Sequence, residues 1–184
     1  MPLLKGEGQF GRDNSMSRND DTVVEIDPGH FRTVLGHYPT GVCVVTGCNV
    51  DGKASGLVVG SFTSVSLDPP LVAFFPDKSS SSWPQVRDCG HFCVNVIGDD
   101  QLELCKQFSS KGGDKFTGVA HRLSPRAMPV LDGVVAYIEC LLHDEIDAGD
   151  HTIVLGKVQH LQVERGGEPL LFFNGRYGRF VELG

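Results

Sequence analysis

Gly56–Trp83 reads GLVVGSFTSVSLDPPLVAFFPDKSSSSW and is the most informative stretch of the chain. Two apolar, strand-like runs bracket a set of small hydroxyl residues, and the stretch ends in four consecutive serines. Asp68-Pro69-Pro70 forces an extended turn, because each proline fixes its own φ and biases the residue before it away from helix. Leu71–Phe75 after that turn reads as a buried strand. Ser61, Thr63, Ser64 and Ser66 are too closely spaced for a pure core strand, and Phe62, Val65 and Leu67 between them are expected to anchor the segment on the fold. Small residues there leave room for backbone N–H groups to approach a flat ligand. Asp77–Pro84 reads as a helix start, with a serine at the N-cap and a proline in the first turn. Such a start binds anions, although a serine run before a helix is more often a plain cap.

Working outward, Asp27 caps and Pro28 opens a helix that carries Phe31, Val34, Leu35 and Tyr38 on one face and stops at Pro39. Gly41–Thr46 is a β-branched strand that Asn49-Val50-Asp51-Gly52 turns back into Lys53–Val59. After the central stretch come a helix over about Ser80–Cys89, a strand over His91–Ile97 and a helix over Gln101–Phe108. A glycine-containing loop, Ser109–Asp114, carries Lys111. Val134–Ile146 is long enough for a curved strand, Thr152–Val163 returns antiparallel to it, and Pro169–Phe173 closes the sheet. The expectation is a mainly β chain, a split, Greek-key-like antiparallel β-barrel with a few short flanking helices. Residues 1–23 are polar and aperiodic and read as a flexible extension, leaving 24–184 as one domain.

At 184 residues the chain fits a single core. A net charge of −7 gives no basic surface for nucleic acid or anionic membranes. No apolar run approaches a transmembrane length and no signal-peptide layout is present, so a cytoplasmic protein is expected. The six cysteines lie mainly in apolar runs, form no C-x-x-C, and read as buried free thiols. His143-Asp144-Glu145 with Asp147 lacks metal-ligand spacing, so no metal is expected. There is no G-x-G-x-x-G, no G-x-x-x-x-G-K-[ST] and no G-x-S-x-G, which excludes a Rossmann dehydrogenase, a P-loop enzyme and a nucleophile-elbow hydrolase. The chain also offers no convincing paired carboxylates for acid-base work.

Six segments taken together resemble the nicotinamide-dependent flavin reductases with an FMN-binding split β-barrel, the reductase components of two-component flavin monooxygenases. They are FRTVLGHYPTGVCVVT (Phe31–Thr46), SFTSVSLDPPL (Ser61–Leu71), HFCVNV (His91–Val96), Lys115-Phe116, GDHTIVLGKV (Gly149–Val158) and PLLFFNGRYG (Pro169–Gly178). The resemblance implies FMN or FAD as flavin and NADH or NADPH as hydride donor. It implies that Val58, Val59, Gly60, Ser61, Thr63 and Ser64 lie along the isoalloxazine edge, where N–H and hydroxyl donors favour the reduced, anionic ring. Many members carry threonine and asparagine where this chain has Val58 and Gly60, which shifts the work there to the backbone. Lys78, Ser79, Ser80 and Ser82 match the phosphate pocket, and Lys111 with Lys115-Phe116 its second flank. Gly149-Asp150-His151 matches a GDH motif, which makes His151 the catalytic nicotinamide contact, with Asp150 orienting it and Tyr177 or Arg179 bordering the same pocket. Taken without the family, a histidine after a turn is more often a surface or hydrogen-bonding residue, and Tyr177 is as readily ordinary packing.

The leading expectation is thus an NAD(P)H:flavin oxidoreductase that supplies reduced flavin to a separate monooxygenase. A flavin carrier without turnover and a flavin-dependent reductase of a metal-centred cofactor remain open beside it. A homodimer is expected, because a small open-edged barrel needs a second subunit to cover its exposed strands and close a large flat site.

Overall fold

The computed structural model describes residues 25–184, and the extension expected over 1–23 lies outside them. Helix α1 (Pro28–Leu35) starts as its sequence dictates: Asp27 Oδ1 accepts the His30 N–H at 2.7 Å, and Pro28 occupies the first turn. It is followed by β1 (Thr40–Gly41), β2 (Cys43–Cys48), β3 (Ala54–Val59), β4 (Thr63–Leu67) and β5 (Pro70–Phe74). Then come α2 (Trp83–Arg87), β6 (His91–Val96), a 3-10 turn at Asp99–Gln101, α3 (Leu102–Ser109), β7 (His121–Leu123) and β8 (Pro129–Leu131). Two long strands, β9 (Ala136–Ala148) and β10 (His151–Val163), lead to β11 (Leu170–Phe173) and β12 (Arg176–Arg179).

The main sheet has seven antiparallel strands in the order β3-β2-β6-β9-β10-β5-β4. The β2–β3 hairpin is set by Asn49, whose Oδ1 accepts the Asp51 and Lys53 amides at 3.0 and 2.9 Å, while Gly52 takes φ 77°. Because strand side chains alternate, β2 and β6 feed two cores at once. Val44 and Cys93 join α3, β8 and Leu170 on one face. Val45, Phe92 and Val94 join the second core on the other. That second core also takes Leu57 and Val59 from β3 and Val72 and Phe74 from β5. Strands from the two opposite ends of the sheet therefore share one cluster, which is the barrel curvature, with α2 laying Trp83 and Val86 into it. Phe74, Trp83 and Phe92 pack edge to face there at centroid separations of 5.1 to 6.1 Å. The edge strands β3 and β4 are not hydrogen-bonded to each other, so the barrel is split.

Most polar groups inside the core are paired, Glu139 Oε2 being the buried side-chain atom without a partner among the described residues. Asn95 Nδ2 donates to Val44 O and Thr46 Oγ1 at 3.1 and 3.0 Å, and its Oδ1 accepts the Leu131 N–H at 2.9 Å, which stitches β8 to the main sheet. Cys43, Cys93, Cys105 and Cys140 are buried and all six cysteines are free. Burial pushes the thiols of Cys43 and Cys140 up to about 12, so neither is a nucleophile at neutral pH.

Three expectations need correction. The helix placed over Ser80–Cys89 is only Trp83–Arg87, because the serines before it are taken up in a turn: Asp77 Oδ1 accepts the Ser79 amide at 2.6 Å and Asp77 O the Ser80 amide at 2.9 Å. Val65 and Leu67 do not anchor β4 but stand 51% and 95% exposed, since β4 is an edge strand with a register shift between Ser64 and Ser66. Pro169–Phe173 does not close the main sheet: β11 pairs with β1 and β12 in a separate three-stranded sheet. No helix among the described residues is long and apolar enough to cross a membrane.

Candidate functional site

The chain leaves β3 and β5 at the same end of the barrel, and Ser61 ties the two exits by accepting the Phe75 N–H on its Oγ at 2.8 Å. Between these exits opens a groove of about 790 Å³, within the usual range for small-molecule and cofactor sites. Val58, Val59, Gly60 and Ser61 form one wall and Phe75, Pro76 and Asp77 the other, while the end of α3 supplies Phe108 and Ser109. A Cβ at Gly60 would lie 3.0 Å from Thr40 Oγ1, so Thr40 packs close against this wall and only a residue without a side chain fits at position 60. His151, at the start of β10, stands over the groove with Lys115, and Leu35 and Phe172 form its outer rim.

A smaller cavity of about 220 Å³ adjoins it, walled by Lys53, Ser55, Ser81, Ser82, Gln85 and the loop from Gly112 to Phe116. That loop turns through Gly112 and Gly113 at φ 77° and 73°. Lys115 belongs to both spaces. Its Nζ donates to Ser82 Oγ at 3.0 Å and to Gly56 O at 3.4 Å, and partial burial pulls the ammonium below its ordinary pKa. Hydroxyls and a poorly hydrated ammonium in one recess suit an anionic group. Lys53 and Asp114 pair across its edge at 3.6 Å.

Of the residues singled out in the sequence, Val58, Val59, Gly60, Ser61, Ser80 and His151 line the groove, and Ser82 and Phe116 line the adjoining cavity. Asp150 meets His151 as an orienting partner would: its Oδ1 is 2.7 Å from His151 Nδ1. That hydrogen bond and the imidazole's charge hold the Asp150 carboxyl below the usual carboxylate range. An ionised Asp150 makes Nδ1 the protonated nitrogen and leaves Nε2 for a ligand.

Other residues are placed elsewhere. Thr63 and Ser64 are exposed on β4 and line neither space. Lys78 Nζ is engaged by Asp147 Oδ2 and Gly149 O, both at 2.6 Å, and the Ser79 amide by Asp77. Lys111 is exposed in its loop. Its charge helps to hold the Asp77 carboxyl low, after the larger effects of the Ser79 hydrogen bonds and of His151. Tyr177 sits behind the rim: its ring is 5.2 Å from that of Phe172, and its hydroxyl is 3.5 Å from Cys105 Sγ. Arg179 lies farther along β12, beside Leu170 and Asp99. Within one chain neither reaches the groove.

Sequence reasoning did not single out Thr40, Phe75, Asp77, Phe108, Ser109 or Phe172 as groove residues. Only Asp77 carried a local signal, its place directly before Lys78 and the serine run.

Residues 35–180 match the flavin reductase like domain. The chain is 58% identical over 158 residues to a flavin reductase of Pseudomonas putida, a match covering 86% of this chain and 93% of that protein. It is 44% identical over 152 residues to the flavin-dependent monooxygenase reductase subunit HsaB of Rhodococcus jostii, covering 83% and 77%. Among solved structures, the nitrilotriacetate monooxygenase component B homologue of Mycobacterium thermoresistibile superposes with a TM-score of 0.80 at 42% identity, covering 83% of this chain and 86% of that one. The Streptomyces globisporus NADH:FAD oxidoreductase SgcE6, in complex with NAD and FAD fragments, does so at 0.78 and 35%, covering 85% and 96%. With sequence and fold agreeing across more than four-fifths of its length, the chain belongs to the flavin reductase like domain family.

Proposed function

We propose that this protein transfers a hydride from NADH to FMN or FAD and supplies the reduced flavin to a separate monooxygenase component. The observation that carries the reading is the meeting of two spaces at Lys115: a groove lined by Val58–Ser61 and His151, and beside it a recess lined by serine hydroxyls and the Lys115 ammonium. A ring system fits the first and a phosphate the second. The hydride chemistry itself belongs to nicotinamide and flavin. The chain's part is to hold the two rings in contact, and to offer Gly60 and Ser61 along one ring edge. His151, oriented by Asp150, meets the nicotinamide through Nε2. Tyr177 and Arg179 would come into play only through a second copy or a shift of the Phe172 rim. The names of relatives agree with this reading, among them the FMN reductase (NADH) SmoA of Agrobacterium fabrum, 42% identical over 150 residues. The oxygenase partner is supported by the HsaB match.

An NADH-oxidation assay with and without FMN, FAD and riboflavin tests it. Stimulation by added flavin is expected. Flavin binding with no NADH oxidation would replace the enzyme by a carrier module.

The site is completed by a homodimer. On α1, Phe31, Val34 and Leu35 are each more than half exposed, and Phe173, whose ring packs against His37, is about half exposed. The Asn174 N–H donates to Gly36 O at 2.8 Å and joins the β11–β12 turn to α1. This apolar surface runs up to Leu35 and Phe172 at the rim of the groove, where a second copy would both cover it and wall the ligand. Light scattering at micromolar concentration should give twice the 19.9 kDa chain mass. A monomer there would exclude a shared site.

A further inference from the structure

The Gly149-Asp150-His151 turn lies at the tip of the β9–β10 hairpin, whose strands are 13 residues each. A hairpin tip is an exposed and mobile place for a residue that must meet a ligand in one geometry. Here the tip is fastened to the segment leaving β5. Lys78 Nζ donates to Asp147 Oδ2, two residues before the turn, and to the carbonyl of Gly149, its first residue, both at 2.6 Å. Its backbone N–H donates to Asp150 O at 3.0 Å. Beside it, Asp77 and His151 form an antiparallel bridge, and the Thr152 N–H donates to Pro76 O at 3.0 Å. Pro76, Asp77 and His151 all line the groove.

We propose that Lys78 is a positioning residue for His151, latching the hairpin tip to the β5 exit so that the imidazole is held over the groove. This rests on the flavin reductase reading and assigns Lys78 to the nicotinamide end of the site, not to a phosphate. The chemistry suits the task. An ammonium has three donors, two of which are spent on a carboxylate and a carbonyl that no phosphate could displace without freeing the turn. The carboxyl of Asp147 is correspondingly held below the usual carboxylate range by the Lys78 hydrogen bond and charge. Asp147 is 81% exposed and Lys78 41%, so the pair adds little to global stability. Its effect lies in where it holds His151.

The test uses the full chain with Lys78→Met, Asp147→Asn, the double variant and Lys78→Arg. Each single loss should raise KM for NADH about five- to tenfold with kcat little changed, and the double variant should be no worse than either single one. Affinities for FMN and riboflavin should stay within about twofold, and Lys78→Arg should recover most of the loss. Amide exchange at Thr152 should accelerate about tenfold in the single variants. A selective loss of FMN affinity over riboflavin, with NADH kinetics unchanged, would return Lys78 to the phosphate. Multiplying effects in the double variant would show that the two residues do not act as a pair. Should Lys78→Met fail to fold, Asp147→Asn carries the same readouts. Faster Thr152 exchange in a protein that never oxidises NADH would keep the latch and sink the flavin reductase reading. Unchanged exchange in an active enzyme would do the reverse.

Discussion

Truncating Phe92 to alanine should lower the unfolding free energy by about 3–5 kcal/mol, a large share of the 5–15 kcal/mol typical of a domain. Phe92 is 1% exposed on β6 and packs edge-on against Phe74 and Trp83, at centroid distances of 5.3 and 6.1 Å. It reaches across the second core to β10, where a Cβ on Gly156 would fall 2.5 Å from its Cζ. One ring therefore joins β5, α2, β6 and β10, and the void it leaves cannot be filled by a neighbour that is already edge-packed. Urea denaturation of the flavin-free protein measures the loss. A decrease below about 1 kcal/mol would mean that the cluster relaxes freely and that the barrel is not held by this triad. The complementary change supplies a check on the geometry. Gly156→Ala overpacks the same contact and should cost about 1–3 kcal/mol, most of it recovered when Phe92 is shortened to leucine.

His151→Ala should leave flavin binding nearly intact while raising KM for NADH, or slowing flavin reduction, by about ten- to a hundredfold, worth roughly 1.4–2.8 kcal/mol. The fold should tolerate the change, because the His151 side chain is 43% exposed and its one polar partner, Asp150, is itself 91% exposed. At neutral pH Asp150 is ionised, its pKa being depressed by the His151 bond. The orienting contact is thus present above the usual carboxylate range and is lost only as pH falls through the lowered pKa. Protonation of Asp150 should accordingly add nothing to the pH dependence of the NADH effect at neutral pH, as stopped-flow reduction of bound flavin in an Asp150→Asn variant and the parent protein would record. Wild-type NADH kinetics in His151→Ala would remove His151 from the nicotinamide site. Loss of flavin with normal turnover of the remaining holoenzyme would make it structural.

Much of the architecture could be read from local chemistry. The α1 start needs only Asp27 and Pro28, since a side-chain acceptor and a fixed φ meet the demands of a first helical turn without help from the rest of the chain. The β2–β3 turn needs only Asn49 and Gly52. The β9–β10 turn needs Gly149, which takes φ 70°, beside Asp150. The Asp150–His151 pair could also be foreseen, because the two are adjacent and their contact is set within a single turn. Alternation in β6 likewise marks which residues face which core.

What a one-dimensional pattern cannot specify is the neighbour. Val65 and Leu67 have the spacing of a half-buried strand, yet burial depends on whether another element covers that face, and β4 lies at the sheet's edge. The serine run has the composition of a helix cap. Its fate was decided by Asp77, which captures Ser79 and Ser80 in a turn, and by Lys115, 33 residues away, which binds Ser82. Lys78 has a stem long enough to reach several anions, and only the fold brings Asp147, 69 residues on, within 2.6 Å. The groove itself joins Thr40, Asp77, Phe108, His151 and Phe172 from five separate elements or loops. The sequence by itself determined the strands of the main sheet, the tight turns at Asn49–Gly52 and Gly149 and the Asp150–His151 neighbourhood, though not the short strands β1, β7, β8 and β12, because the former depend on backbone preferences and contacts a few residues apart. Tertiary structure alone decided which cation meets which anion and which aromatic ring borders the groove, because those contacts form only once the sheet has curled and strands distant in the chain share one core.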